Sequence, residues 1–212
     1  MATTTNHGNS IELPILLAAT LIALVYSGIT PYDRLTWAME VSWVVVGLPV
    51  LVVTRRRFPL TPLLYRLLFV HALILIVGGY YTYARVPLGF WFGELFGLER
   101  NYYDRLGHLA QGFVPAILAR EILIRRSPLD HSRWLPFLVV CICLAFSAFF
   151  ELIEWWSALA LGADADAYLA TQGDPWDSQA DMFCALIGAI VALALLSKLH
   201  DRQLLRLAGR SA

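Results

Sequence analysis

Three stretches of this 212-residue chain carry side chains able to do chemistry, and each is set in apolar sequence. The first reads Asn-Tyr-Tyr-Asp-Arg-Leu-Gly-His-Leu-Ala-Gln-Gly at 101–112 and runs directly into an apolar segment at 113–124. On a helix, Asp104, His108 and Gln111 fall within an arc of about 60° and form one polar face. The second, Phe-Phe-Glu-Leu-Ile-Glu-Trp-Trp, sets Glu151 and Glu154 three residues apart on one helix face. The third, Gln-Gly-Asp-Pro-Trp-Asp-Ser-Gln-Ala-Asp at 172–181, holds Asp174, Asp177 and Asp181. Asp174 is expected to cap a helix opened by Pro175. Asp181 lies beyond the first turn and shares a face with Asp177, Cys184 and Gly188, polar at the mouth and small below, which suits close packing against another helix.

Imidazole nitrogen with carboxylate oxygens is a ligand set for zinc, iron or manganese, and oxygens alone suit magnesium. His108, Glu154, Asp177 and Asp181 are the candidate metal ligands. Clustered carboxylates also repel one another's ionisation, which separates their pKa values as general acid–base chemistry requires. Glu151, Glu154 and Asp181 are therefore candidate acid–base groups, and Arg105 is a candidate for binding an anionic headgroup or developing charge. Asp104, Gln111 and Asp174 complete the polar face. The competing reading is a structural ion-pair network in which Arg105 neutralises Glu154 or Asp181. The chain has no His-Glu-x-x-His, no glycine-rich phosphate loop and no Gly-x-Ser-x-Gly elbow to name a reaction.

The elements that must position these groups are membrane helices. The chain is 58% hydrophobic and 15% charged, with a mean hydropathy of +0.62, and its apolar residues gather into blocks near the roughly 20-residue length that crosses a bilayer. Six such blocks, at about 11–29, 35–54, 61–82, 103–124, 135–160 and 178–199, predict an all-α, polytopic six-span bundle forming one domain over 1–212. The first block is expected to be a retained span, because no small-residue cleavage site follows it. Cys141, Cys143 and Cys184 sit inside apolar blocks and are expected to be packed thiols. The net charge is zero and no basic stripe suits nucleic acid, so the expected partner is the lipid bilayer. Sequence does not fix the oligomeric state.

Orientation follows from lysine and arginine, which are retained on the cytoplasmic side. Twelve of the 16 positive residues fall at one set of helix ends: Arg55, Arg56, Arg57, Arg66, Arg120, Arg125, Arg126, Arg133, Lys198, Arg202, Arg206 and Arg210. Arg34, Arg85, Arg100 and Arg105 fall at the other. Both termini are thus expected in the cytoplasm and the 101–111 stretch at the outer face. At about 1.5 Å per residue, the acids of the fifth and sixth spans and His108 come to overlapping depths. The aromatic, glycine-spaced connection 84–102 is expected to be an interfacial or re-entrant segment. Glu40 and His71 could extend the cluster, Glu121 is expected in an ion pair with Arg120 or Arg125, and Pro115 should kink the fourth span.

The motifs Arg-Asn-Tyr-Tyr-Asp-Arg-Leu-Gly-His-Leu-Ala-Gln-Gly-Phe-Val-Pro-Ala, Glu-Leu-Ile-Glu-Trp-Trp and Gly-Asp-Pro-Trp-Asp-Ser-Gln-Ala-Asp-Met strongly resemble the YjdF-like bacterial inner-membrane family, a domain of unknown function. That resemblance covers most of the chain and implies a multi-pass inner-membrane location. A weaker similarity is to the VanZ-like family, through Asp104-Arg105-Leu-Gly-His108 and Asp177-Ser-Gln-Ala-Asp181 leading to Gly188. Glu154 and Asp181 stand where that family tends to have Gln and Asn. It implies a link to the cell envelope or antibiotic tolerance. The residues themselves support a metal-dependent enzyme acting on a lipid or lipid-linked substrate, with a small cation or proton transporter as the alternative and helix glue as the third reading.

Overall fold

The computed structural model describes residues 8–130, 132–162 and 171–209; Arg210 lies outside them. Seven α-helices and one 3-10 turn make up the described chain, which is all-α as expected. Helix α1 spans Gly8–Ile29 and α2 spans Arg34–Thr54. Asp33 caps α2 by accepting from the Thr36 N–H at 2.7 Å, satisfying a donor that the helix leaves open. Helix α3, Pro62–Tyr81, begins the same way: Thr61 caps it and Pro62 occupies the first turn, where its missing N–H costs nothing. After α6, Trp134–Leu161, the chain returns in α7, Asp177–Ala208.

Five helices, α1, α2, α3, α6 and α7, are long and apolar enough to cross a membrane. Each turns large apolar side chains outward, among them Ile22, Val53, Val70, Phe149 and Leu195. Helix α5, Tyr103–Arg126, differs from the expectation: it has 24 residues but is too polar to count with the other five. The physical reason is its placement. It packs against α3, α6 and α7, and Asp104, His108, Gln111, Arg120 and Glu121 are all buried there by protein.

The closest approach is between α5 and α7. A Cβ on Gly112 would stand 1.8 Å from the Ala185 carbonyl oxygen, and one on Gly188 would stand 2.1 Å from that of Leu109. Only a bare backbone fits at either position, so the small face predicted below Asp181 is the contact surface. Leu64, Ile117, Val139 and Ala189 fill the adjoining core.

The 84–102 connection is a 3-10 turn, Tyr83–Arg85, followed by α4, Pro87–Phe96. Gly89 and Gly93 face the returning chain, while Phe90, Trp91, Leu95 and Phe96 are exposed, so the helix has one packed face and one exposed apolar face. Gly97 ends it in the left-handed region at φ +64°. Buried Asn101 ties this segment down: its amide donates to the Val86 carbonyl at 2.9 Å and its side-chain oxygen accepts from the Tyr103 N–H at 3.0 Å.

At the arginine-rich end a second buried network joins α3, α5 and α7. Arg120 Nη1 reaches His200 Nδ1 at 3.0 Å. A guanidinium only donates, so Nδ1 accepts and the ring proton sits on Nε2. That nitrogen donates to Glu121 Oε2 at 3.0 Å. Glu121 also accepts from Arg125 at 2.7 Å and from the Thr61 backbone and hydroxyl. The expected pair with Arg125 is present; Arg120 instead reaches Glu121 through His200.

Candidate functional site

The first turns of α5 deliver Asp104, Arg105, His108 and Gln111 to the end of the bundle opposite the arginine-rich one, where α6 brings Glu151 and Glu154 and α7 brings Asp177 and Asp181. The three polar faces do meet. His108 is at the centre: its Nε2 lies 3.6 Å from Asp104 Oδ1 and 3.7 Å from Asp181 Oδ1, and its Nδ1 lies 3.8 Å from Glu151 Oε1. Asp104, His108 and Asp181 are buried, and each offers one ligand atom within 4.8 Å of the others.

Four carboxylates of the region sort into two groups by their arginines. Asp174 and Asp177 are clamped between Arg100 and Arg105: Arg100 reaches Asp174 at 2.8 Å and Asp177 at 3.0 Å, and Arg105 reaches Asp177 at 2.6 Å and Asp174 at 3.1 Å. Arg105 also contacts Asp181 and lies 3.7 Å from Asp104. Its guanidinium is directed at Asp174, Asp177 and Asp181 and not at Glu154, so in this arrangement it holds the acids together and presents no free cation. Asp177, grouped with the metal ligands by sequence, points into this clamp, and Asp104 takes the place beside His108 and Asp181.

Asp174 does not cap α7 as expected; the helix starts at Asp177 with Trp176 in the capping position. Gln172 and Gly173 take positive φ just upstream, turning the chain so that Asp174 meets the arginines. Its Oδ1 accepts from the Trp176 N–H at 2.9 Å. That bond, followed by the two guanidiniums, holds the Asp174 carboxyl below the usual carboxylate range.

Several buried polar atoms here lack a hydrogen-bond partner of normal geometry among the described residues: His108 Nδ1, Gln111 Oε1, both Glu151 oxygens and the hydroxyl of Ser147, whereas Asp181 Oδ1 is held by Arg105. Buried polar groups are ordinarily satisfied, because leaving one unpaired costs about 1–3 kcal/mol. The unpartnered atoms are carried by the helices that meet at His108. Ser147 escaped the sequence analysis, although it precedes Glu151 by four residues and Glu154 by seven, the spacing of one helix face. Arg100 was noted only for its charge.

Glu154 stands apart from the His108 cluster, half-buried and without an ion pair among the described residues, on the wall of a cavity of about 840 Å³. Glu40, His71, Asp104, His108 and Gln111 reach the same cavity, so both in-span residues suspected from sequence join the site. Below this polar head the walls are apolar, with Trp43, Val44, Leu68 and Leu75 among them, and the cavity runs along α2 to Arg55. Glu40 and Arg55 are fifteen residues apart, about 22 Å of helix, which is more than half of a hydrocarbon core of about 30 Å.

The sequence profile of the predicted membrane protein family DUF2238 matches residues 13–202 of this chain, nearly all of its helical bundle. The chain belongs to this family. It is 56% identical over 190 residues to the inner membrane protein YjdF of Escherichia coli (strain K12), covering 90% of each chain. The YjdF-like resemblance and the bacterial inner-membrane location read from the sequence stand with that relative. No solved structure matches.

Proposed function

We propose that this protein is a membrane-embedded, metal-dependent enzyme that acts on a lipid or lipid-linked substrate at its acidic end. The observation that carries the reading is the convergence of Asp104, His108 and Asp181, buried and mutually close, beside the unpartnered polar atoms of Gln111 and Glu151, with Asp104 and His108 opening onto a long apolar cavity.

The donor set fits a first-row transition ion. Ligand atoms about 2.1 Å from a tetrahedral ion lie about 3.4 Å from each other, close to the 3.6 and 3.7 Å between His108 Nε2 and the two aspartates. His108 Nε2 faces both acids, which leaves Nδ1 toward Glu151, the arrangement in which a carboxylate fixes the tautomer and orientation of a metal-bound histidine. A divalent ion held there supplies Lewis acidity and lowers the pKa of a bound water. Arg100 and Arg105 hold α7 by Asp174 and Asp177, and so hold Asp181 in place. Glu154 and Glu40, unspent on arginine and facing the cavity, are the groups placed to move protons on a molecule lodged there. The apolar length below them accommodates a hydrocarbon chain.

In the same proposal α5 crosses the membrane as a sixth span whose polar faces are covered by α3, α6 and α7, with both termini on the arginine-rich, cytoplasmic side. A transporter reading draws on Glu40 and His71 sharing the cavity, but below His71 the cavity offers apolar walls until Arg55.

Lipid turnover tests the enzymatic reading. Protein purified in detergent, supplied with zinc or manganese and incubated with a bacterial lipid extract, should change the lipid profile by mass spectrometry. Chelator and His108→Ala should each abolish the change. An unchanged profile with metal bound would refute the enzyme while leaving the ion site standing.

A further inference from the structure

A second pocket, of about 460 Å³, opens at the arginine-rich end between α1, α3 and α7 and shares Leu13, Arg55 and Tyr65 with the large cavity. Three guanidiniums, Arg55, Arg66 and Arg206, meet a single carboxylate there, Glu12. Glu12 is spent on Arg66, which grips it at 2.5 and 3.1 Å. Arg55 and Arg206 make no ion pair among the described residues. Gln203 turns its amide oxygen to the Leu63 N–H at 2.8 Å, which leaves its NH₂ to donate into the pocket. The pocket is thus a recess of net positive charge with free donors, at the arginine-rich helix ends, the kind of basic pocket that binds anionic headgroups.

What adjoins it is apolar and unfilled. Helices α1 and α2 barely touch one another, and the large cavity separates them, with Leu16 and Leu17 on one side and Val44 and Gly47 on the other. A Cβ built on Gly47 would meet nothing within 4 Å. Side chains around a void forfeit the contacts a close-packed interior provides, and in a bilayer the material at hand to restore them is hydrocarbon.

We propose that an anionic phospholipid of the adjacent leaflet occupies this pair of spaces, its phosphate between Arg55 and Arg206 and one acyl chain passing Leu13 and Tyr65 into the cavity between α1 and α2. The lipid joins α1 to α2 and both to α7, which few protein contacts do directly. This inference uses none of the acidic residues around His108, and its acyl chain shares the apolar cavity with the substrate chain of the catalytic reading.

The test measures phosphatidylglycerol and phosphatidylcholine binding to the delipidated full chain by native mass spectrometry. Wild-type protein should prefer phosphatidylglycerol, and Arg55→Gln with Arg206→Gln should weaken its binding about 30-fold while leaving phosphatidylcholine unchanged. Arg202→Gln, also on α7 but outside the pocket, should cost less than about threefold. Gly47→Leu, which fills open cavity space, should weaken phosphatidylglycerol about tenfold, the worth of roughly two displaced methylenes, without lowering the melting temperature. Unchanged selectivity in the double variant, an equal loss with Arg202→Gln, or binding of soluble glycerol phosphate as tight as that of the lipid would each overturn the proposal.

Discussion

His108 presents its Nδ1 to Glu151 across 3.8 Å, with both groups buried and neither making a hydrogen bond of normal geometry among the described residues. The opposite ring nitrogen faces Asp104 and Asp181, so the imidazole is flanked by carboxylate on both sides. Glu151 therefore acts on the proposed ion through the ring. Its substitution should reduce metal affinity without abolishing the site, by about tenfold for Glu151→Gln, which keeps an acceptor, and about 100-fold for Glu151→Ala. Competition with a chelator of known affinity measures this. Equal and complete metal loss in both variants would make Glu151 a direct ligand.

The α5–α7 contact predicts opposite outcomes for two glycine substitutions. Gly112→Ala forces a methyl group toward the Ala185 carbonyl and should destabilise by about 1–3 kcal/mol. Gly47→Ala points into open space and should be neutral or stabilising by up to about 1 kcal/mol through helix propensity. Thermal unfolding in detergent reads both, and a Gly112→Ala protein as stable as wild type would contradict the close contact.

Glu121 receives four donor groups, from Thr61 N–H, Thr61 hydroxyl, Arg125 and His200, in a fully buried position. Glu121→Ala leaves these donors and a buried guanidinium network uncompensated and should cost about 3 kcal/mol. Metal content in the surviving folded fraction should not change, because the network lies at the far end of the same helix. Concurrent metal loss would show that the two ends of α5 are not independent.

Asp33 lies between α1 and α2, and hydrogen bonds from Thr36 hold its carboxyl below the ordinary value of 3.8. A depressed folded-state pKa means that the cap's contribution is whole above the ordinary value and is lost as pH falls through the folded one. Asp33→Ala should thus cost about 1 kcal/mol at neutral pH. The difference from wild type should vanish in strong acid. A difference that persists at the lowest pH where the protein stays folded would assign the effect to something other than the charged cap.

Much of this arrangement was legible in the chain. The 3.6-residue period put Asp104, His108 and Gln111 on one face and Glu151 with Glu154 on another, and equal helix rise brought both to the depth of Asp181. The small residues below Asp181 announced the contact that Gly188 makes. Partner choice was not legible, because it depends on helix order in the membrane plane. Asp177 and Asp181 look equivalent in sequence, but Asp177 is shared between Arg100 and Arg105, whereas Asp181 meets Arg105 alone and stands with Asp104 beside His108. The Asp174 cap failed because positive φ at Gln172 and Gly173 redirects the chain before the helix begins, which no local capping rule registers. Helix α5 looks like an ordinary span from its apolar middle, whereas its polar ends require the burial that only the assembled bundle supplies.

The most direct test is elemental analysis of the purified protein, comparing wild type with Asp104→Asn, His108→Ala, Asp181→Asn and Asp177→Asn, each checked for folding. One ion per chain in wild type, lost in the first three variants and kept in Asp177→Asn, is the predicted result. Folded protein that binds no divalent ion when supplied with zinc or manganese, or that loses the ion only with Asp177, would contradict the site at His108.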